Sequence, residues 1–267
     1  MRIPITMCHG ISVKGDKPLT PERFDALIRV AADMNFTSVG YDDLAAWRAG
    51  KAEMPDRPIL FDFDHPVKSM RYAVKETLDR YGFKGNLFVQ TQPLLELHTG
   101  PLPPDEEREI LTWDELRELR DAGWNIGAHT VSHPNLSKLY QEDPSGERLR
   151  HELDESNATL EKQLGAPPRD FAFTGTSWSS RAEEEVRKRY RFGRLWIVGA
   201  VYQVDGKEMR YADLVGVEGD DEPDGGPPAA ARYITRHSDP YRLPSMEFQA
   251  LIYEPHAFRS YLKGAVA

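Results

Sequence analysis

The 267-residue chain has one cysteine, Cys8, so no internal disulfide can form and the fold cannot depend on one. It lacks any fully apolar run of about 18 residues or more, which excludes an ordinary membrane-spanning helix. The opening Met1-Arg2-Ile3-Pro4-Ile5-Thr6-Met7 has neither the apolar stretch nor the cleavage pattern of a secretory leader, so the expectation is a cytoplasmic protein with no membrane partner. A basic excess is missing too. Against 34 Lys and Arg stand 43 Asp and Glu, a formal net charge of −9, which removes the electrostatic footprint of a protein that neutralises phosphates and excludes nucleic acid as a partner. No repeat of about 20 to 50 residues and no second composition regime is visible, so residues 1–267 read as one domain. Nothing in the sequence sets the oligomeric state.

What is present is an alternation of short apolar runs with helical patterns, the signature of βα units around a mainly parallel sheet. The predicted strands are Ile3 to Cys8, Ser38 to Tyr41, Pro58 to Phe63, Asn86 to Gln90, Trp124 to Ala128, Asp170 to Thr174, Leu195 to Val201 and Ala250 to Tyr253. Eight such runs suit an α/β barrel better than a small open sheet. Helix starts carry physical signals: Thr20 before Pro21, Thr112 with Glu115, and Ser180 with Glu183. The segment Gly219 to Pro228 is acidic and rich in turn formers, and reads as a surface loop.

Chemistry concentrates at two strand ends. His129 and His133, four residues apart in Gly127-Ala128-His129-Thr130-Val131-Ser132-His133-Pro134, follow a predicted strand and can turn toward one point as neutral nitrogen ligands. The apolar run Ile59-Leu60-Phe61 ends abruptly in Asp62-Phe63-Asp64-His65-Pro66. Strand alternation sends Asp62 and Asp64 to one side and Phe61 and Phe63 to the other. Buried carboxylates need a partner. A shared divalent ion explains all four residues, with Asp64 as its anionic ligand beside His129 and His133, and Asp62 as a base near a bound water. Two nitrogens and one oxygen favour zinc, with cobalt, nickel or manganese also fitting.

These residues resemble the polysaccharide deacetylases, the NodB-homology group or carbohydrate esterase family four, and in particular the poly-N-acetylglucosamine deacetylase type. Pro55 through Asp64 resembles the first family motif, usually written TFDDG. Leu111 to Leu116 with Gly123 to Pro134 resembles the second, and Leu251 to His256 the last. The resemblance implies a distorted (β/α) barrel of seven or eight units. It also implies a metal-dependent deacetylation of an N-acetylated amino sugar or polysaccharide, with His256 protonating the leaving amine.

The motif departs from the family pattern because Phe63 separates two aspartates that are usually adjacent. In one register Asp62 is the base and Asp64 the ligand. In the other Asp64 is the base and His65 completes a three-histidine site. The first keeps two histidines and a carboxylate and is the expectation carried forward. The third motif also departs, with Phe173-Thr174-Gly175-Thr176 where an arginine or a Pro-aromatic-Gly turn often lies. His9 ends the first predicted strand near the expected mouth, where a turn role weighs as much as a catalytic one. Trp178, Trp196 and Tyr253 suit either an apolar wall for the substrate or the core. Other hydrolases of non-peptide C–N bonds, allantoinase-like or acting on cyclic imides, resemble the same family. A small amide substrate and a non-catalytic metal-binding relative are therefore the alternatives.

Overall fold

The computed structural model describes residues 1–97, 109–196 and 201–267. Eleven strands are present among them: β1 (Ile5–Cys8), β2 (Thr37–Ser38), β3 (Pro58–Asp64), β4 (Asn86–Val89), β5 (Asn125–Ala128), β6 (Asp170–Ala172), β7 (Ser177–Trp178), β8 (Phe192–Arg194), β9 (Val201–Val204), β10 (Lys207–Arg210) and β11 (Met246–Glu247). Seven form a parallel path in the order β11-β1-β3-β4-β5-β6-β8, with β2 also paired to β3. Leu243 bridges in parallel to Arg194, exchanging backbone bonds with Gly193 and Leu195 at 3.0 and 2.8 Å. Three residues later Met246 pairs with Thr6 of β1. One short segment thus links the two ends of the path, and the result is a distorted barrel. Strands β10, β9 and β7 make a small separate sheet.

Side-chain alternation divides the apolar residues into two cores. Ile5, Leu60, Phe88, Ala172, Phe192 and Leu243 fill the inside of the barrel. Phe61, Phe63, Leu87 and Phe171 face outward and pack beneath the helices. Phe63 illustrates that outer layer: it stacks on Trp124 at 5.4 Å and meets Phe24 edge-on at 6.2 Å. Burying each such ring stabilises the fold by roughly 1.5–3 kcal/mol.

The helix caps follow the local sequence. Thr20 accepts from the Arg23 N–H at 3.2 Å ahead of helix Pro21–Asp33. Thr112 and Glu115 close a reciprocal box at helix Trp113–Asp121. The third start is displaced by one residue, since Ser179 rather than Ser180 accepts from the Ala182 N–H, at 3.1 Å. Asp220, Asp221 and Asp224 are exposed as expected of a surface loop, whereas Gly226 to Pro228 turn inward.

Three strand expectations are corrected. The run expected over Ser38 to Tyr41 is the two-residue strand Thr37–Ser38, and Tyr41 opens helix Tyr41–Arg48. Leu195 and Trp196 are not in a strand; the barrel strand there is Phe192–Arg194, and residues 197–200 of the expected run lie outside those described. Residues 250–252 form a turn, and the closing strand is Met246–Glu247. These last two strands place a charged residue, Arg194 or Glu247, among buried neighbours, which conceals them from a search for apolar runs.

Candidate metal centre

The carboxyl ends of six barrel strands converge at one mouth. His9 follows β1, Asp64 ends β3, Gln90 follows β4, His129 follows β5, Arg194 ends β8 and Glu247 ends β11. Asp64 is the last extended residue of its strand. His65 then takes a left-handed φ of 67°, so its side chain escapes the alternation and turns back toward the mouth. Thr130 (φ 66°) and His133 (φ 61°) do the same beyond β5, which lets His133 fold back over His129. Three non-glycine residues in this costly region around one point are the kind of strain that functional sites retain.

Among the described residues, His65, His129 and His133 form a group whose donor atoms all lie within 4.8 Å of one another. The ring centroids are 4.8 to 5.2 Å apart. Two outer nitrogens are already engaged. His129 Nδ1 donates to the Ala172 carbonyl at 2.8 Å, and His65 Nδ1 lies 3.0 Å from Gln90 Oε1. Each bond fixes the tautomer that leaves Nε2 as a lone-pair donor. His129 Nε2 is fully enclosed and has no hydrogen-bond partner among the described residues. Burial, aided by the neighbouring imidazoles, outweighs the Asp64 charge and lowers His65 to about 4 and His129 to about 3. Neutral, preoriented imidazoles with an orphaned buried nitrogen fit a borderline divalent cation such as zinc.

The aspartates differ from the expectation. Asp64 shares this mouth, with Oδ2 3.9 Å from His129 Nε2, but its other oxygen is taken by Arg194 Nη2 in a short charge-assisted hydrogen bond. His65, not Asp64, is the third member of the converging group. Burial pushes the Asp64 carboxyl up, yet Arg194, His129 and His9 outweigh it and hold the group well below the usual carboxylate range. Asp62, the expected base, is fully buried. Its carboxylate accepts from Tyr41 Oη at 2.6 Å and Asn86 Nδ2 at 3.0 Å, and Arg194 Nε lies 3.2 Å away. Burial raises it to about 7 despite Arg194. The expected common side for Asp62 and Asp64 is observed, because both reach the same guanidinium.

His256 is not brought to the mouth. It is exposed in the first turn of helix Pro255–Val266, where its carbonyl accepts from Ser260 at 3.0 Å. His9 is at the mouth instead, stacked on His65 at 5.3 Å, edge-on to Trp196 at 5.4 Å and 3.5 Å from Glu247. Burial would lower its pKa, but the Glu247 contact and the Asp64 charge outweigh that and raise it. Beside His133 lies a hollow of about 150 Å³, lined by Pro134, Asn135 and Thr174 to Ser177. Cys8 is a buried core thiol whose pKa burial pushes up, as expected of an inert cysteine. Arg194 and Glu247 are not among the residues expected at the site; their one signal in the sequence is a charged residue inside an otherwise apolar run, as in Phe192-Gly193-Arg194-Leu195-Trp196. No helix among the described residues is long and apolar enough to cross a membrane.

Comparison with known proteins gives a consistent picture. The family described as Polysaccharide deacetylase matches residues 51–190. YxkH of Bacillus subtilis (strain 168), a curated protein assigned to the polysaccharide deacetylases, is 20% identical over 146 residues, covering 55% of this chain and 48% of the relative. The chain thus matches about half the length of that relative. Among solved structures, the Streptococcus pyogenes deacetylase PplD in complex with acetate aligns with a TM-score of 0.71 at 16% identity, covering 98% of each chain. IcaB from Ammonifex degensii aligns with a TM-score of 0.68 at 15% identity, covering 100% of this chain and 97% of the other. At such identities the structural likeness speaks to the fold.

Proposed function

This chain belongs to the polysaccharide deacetylase family, and on that premise we propose that it is a metal-dependent hydrolase removing the acetyl group from an N-acetylated amino sugar in a carbohydrate. The observation that carries the reading is the convergence of three neutral imidazoles beside an arginine-held carboxylate at the barrel mouth. His65, His129 and His133 would hold the ion, zinc by preference, with cobalt, nickel or manganese able to use the same donors. When bound, it supplies Lewis acidity to the amide carbonyl and lowers the pKa of water.

The chain's own residues account for the proton movements. Asp64, kept ionised by Arg194, accepts the proton of the attacking water. His9, whose proton is stabilised by Glu247, donates to the amine nitrogen as the C–N bond breaks. These are the roles that strand spacing and resemblance had suggested for Asp62 and His256. Asp62 is enclosed by its own hydrogen bonds, and His256 is on the surface. Trp196, edge-on to His9, supplies part of an apolar wall.

The test is acetate release from N-acetylglucosamine oligomers, run beside a panel of small cyclic imides. The expected result is release from the sugars that stops on chelation and returns with Zn²⁺ or Co²⁺. Asp64→Asn should lower turnover by about a hundredfold or more, the usual scale of lost general-base assistance, while His256→Ala stays near wild type. Turnover of imides alone would refute the sugar substrate, and undiminished activity after complete chelation would refute the metal dependence.

A further inference from the structure

The loop that carries two of the three imidazoles is gripped from both sides, and one grip is a single side chain. On one side its carbonyls are held by backbone: Thr130 O accepts from the Thr91 N–H at 3.2 Å and Val131 O from the Gln92 N–H at 3.0 Å. On the other side the successive N–H groups of Val131 and Ser132 both donate to Glu152 Oε2 at 2.9 Å. The Ser132 hydroxyl donates to Glu152 Oε1 at 2.5 Å. Glu152 comes from helix Glu147–Leu164, about 20 residues further along the chain.

The left-handed turn at Thr130 directs the next two N–H groups to one side, a concave arrangement of the kind that backbone offers to an anion. Thr130 Oγ1 accepts from the His133 N–H at 3.0 Å and completes the turn. His129 and His133 share a target only while this turn keeps its shape, with left-handed φ values at Thr130 and His133 that relaxed backbone would avoid.

We infer that Glu152 is a positioning residue for the metal centre: its carboxylate locks the Thr130–His133 turn so that His129 and His133 address one ion. This rests on the three-histidine metal reading above. These bonds end on the turn and not on the imidazoles, so Glu152 acts chiefly through the backbone, with a lesser electrostatic effect on His133. Length of reach, and not charge alone, is what the role requires. Glutamine retains an oxygen at the same distance to accept the N–H groups, whereas aspartate retains the charge but withdraws the oxygens by about one C–C bond, ~1.5 Å.

The experiment titrates the full chain with Zn²⁺ against a chromophoric chelator and records the visible spectrum of the Co²⁺-loaded protein. Wild type should bind tightest and Glu152→Gln slightly less tightly, within about fivefold, since neutral hydrogen bonds are weaker than charge-assisted ones. Glu152→Asp and Glu152→Ala should lose about 10- to 100-fold, the usual cost of removing an outer support of a ligand. Their Co²⁺ spectra should shift while Glu152→Gln keeps the wild-type bands. If Glu152→Ala does not fold, the Gln and Asp pair still decides. Aspartate outperforming glutamine would show a charge effect and overturn the inference, as would Ala binding like wild type. Wild type failing to bind Zn²⁺ at all would overturn the metal reading itself, a distinct result from equal binding across the series.

Discussion

At the scale of single residues, the neutral imidazoles and the buried ion pairs set opposite demands on pH and charge. In metal-stripped protein His65 is held at about 4 and His129 at about 3, against the ordinary 6.5 that the unfolded chain retains. Below about pH 6.5 the unfolded state therefore binds protons that the native state refuses. Their stability contribution is full above that pH and is lost as pH falls toward 4, at up to about 1.4 kcal/mol per unit for each histidine. Urea midpoints in chelator should fall steadily from pH 7 to 5, and the fall should be shallower in His129→Asn; a flat profile would contradict the neutral-imidazole assignment. Arg194 is the complementary case. It is enclosed between Asp62 and Asp64, donates to Ser245 at 3.3 Å and lies over the Phe88 ring at 5.0 Å. Arg194→Met leaves two buried carboxylates without their cation and should cost about 3–5 kcal/mol, read as a lower thermal midpoint. Much of this was legible beforehand, since period-two alternation places both aspartates on one side. His65 was legible only as the second of two registers, because alternation sends it away from them and only the left-handed φ at that residue brings it back. Nor does any local pattern show that a residue 130 positions beyond Asp64 neutralises it.

At the scale of elements, the strands that announce themselves are those with apolar side chains on both faces, such as β3 and β4, which are buried throughout. Strands β8 and β11 are short and carry Arg194 and Glu247 at the mouth, so their polar inward positions break the run by which strands are recognised. Function there works against legibility. The same crowding explains Gly127 in β5. A methyl group placed on it would lie 2.5 and 2.6 Å from the Phe88 ring and 3.0 Å from the Asp170 carbonyl. Since the Phe88 ring lies under Arg194, Gly127→Ala should displace both. The expected loss is about 1–3 kcal/mol, the range for overpacking a dense core, together with reduced turnover. An unchanged denaturation midpoint would show that the ring can step aside freely.

At the scale of the whole molecule, the barrel assembles its site from distant parts of the chain: His9 lies beside Glu247, and Asp64 beside Arg194. Such a site is formed only in the folded protein, so an ion bound there stabilises the entire fold by mass action. With free Zn²⁺ at about a hundred times its dissociation constant the gain should be about 2.7 kcal/mol, seen as a raised thermal midpoint in wild type and absent in His129→Ala. A similar rise in both would place the binding elsewhere.

The central claim, that the third ligand is His65 while Asp64 works beside it as a base, is tested most directly by the Zn²⁺ content and affinity of three purified variants. His65→Ala should lose the metal, Asp64→Asn should retain it without turnover, and Asp62→Asn should retain it. Metal retained in His65→Ala and lost in Asp64→Asn would contradict the account and restore the two-histidine, one-aspartate site.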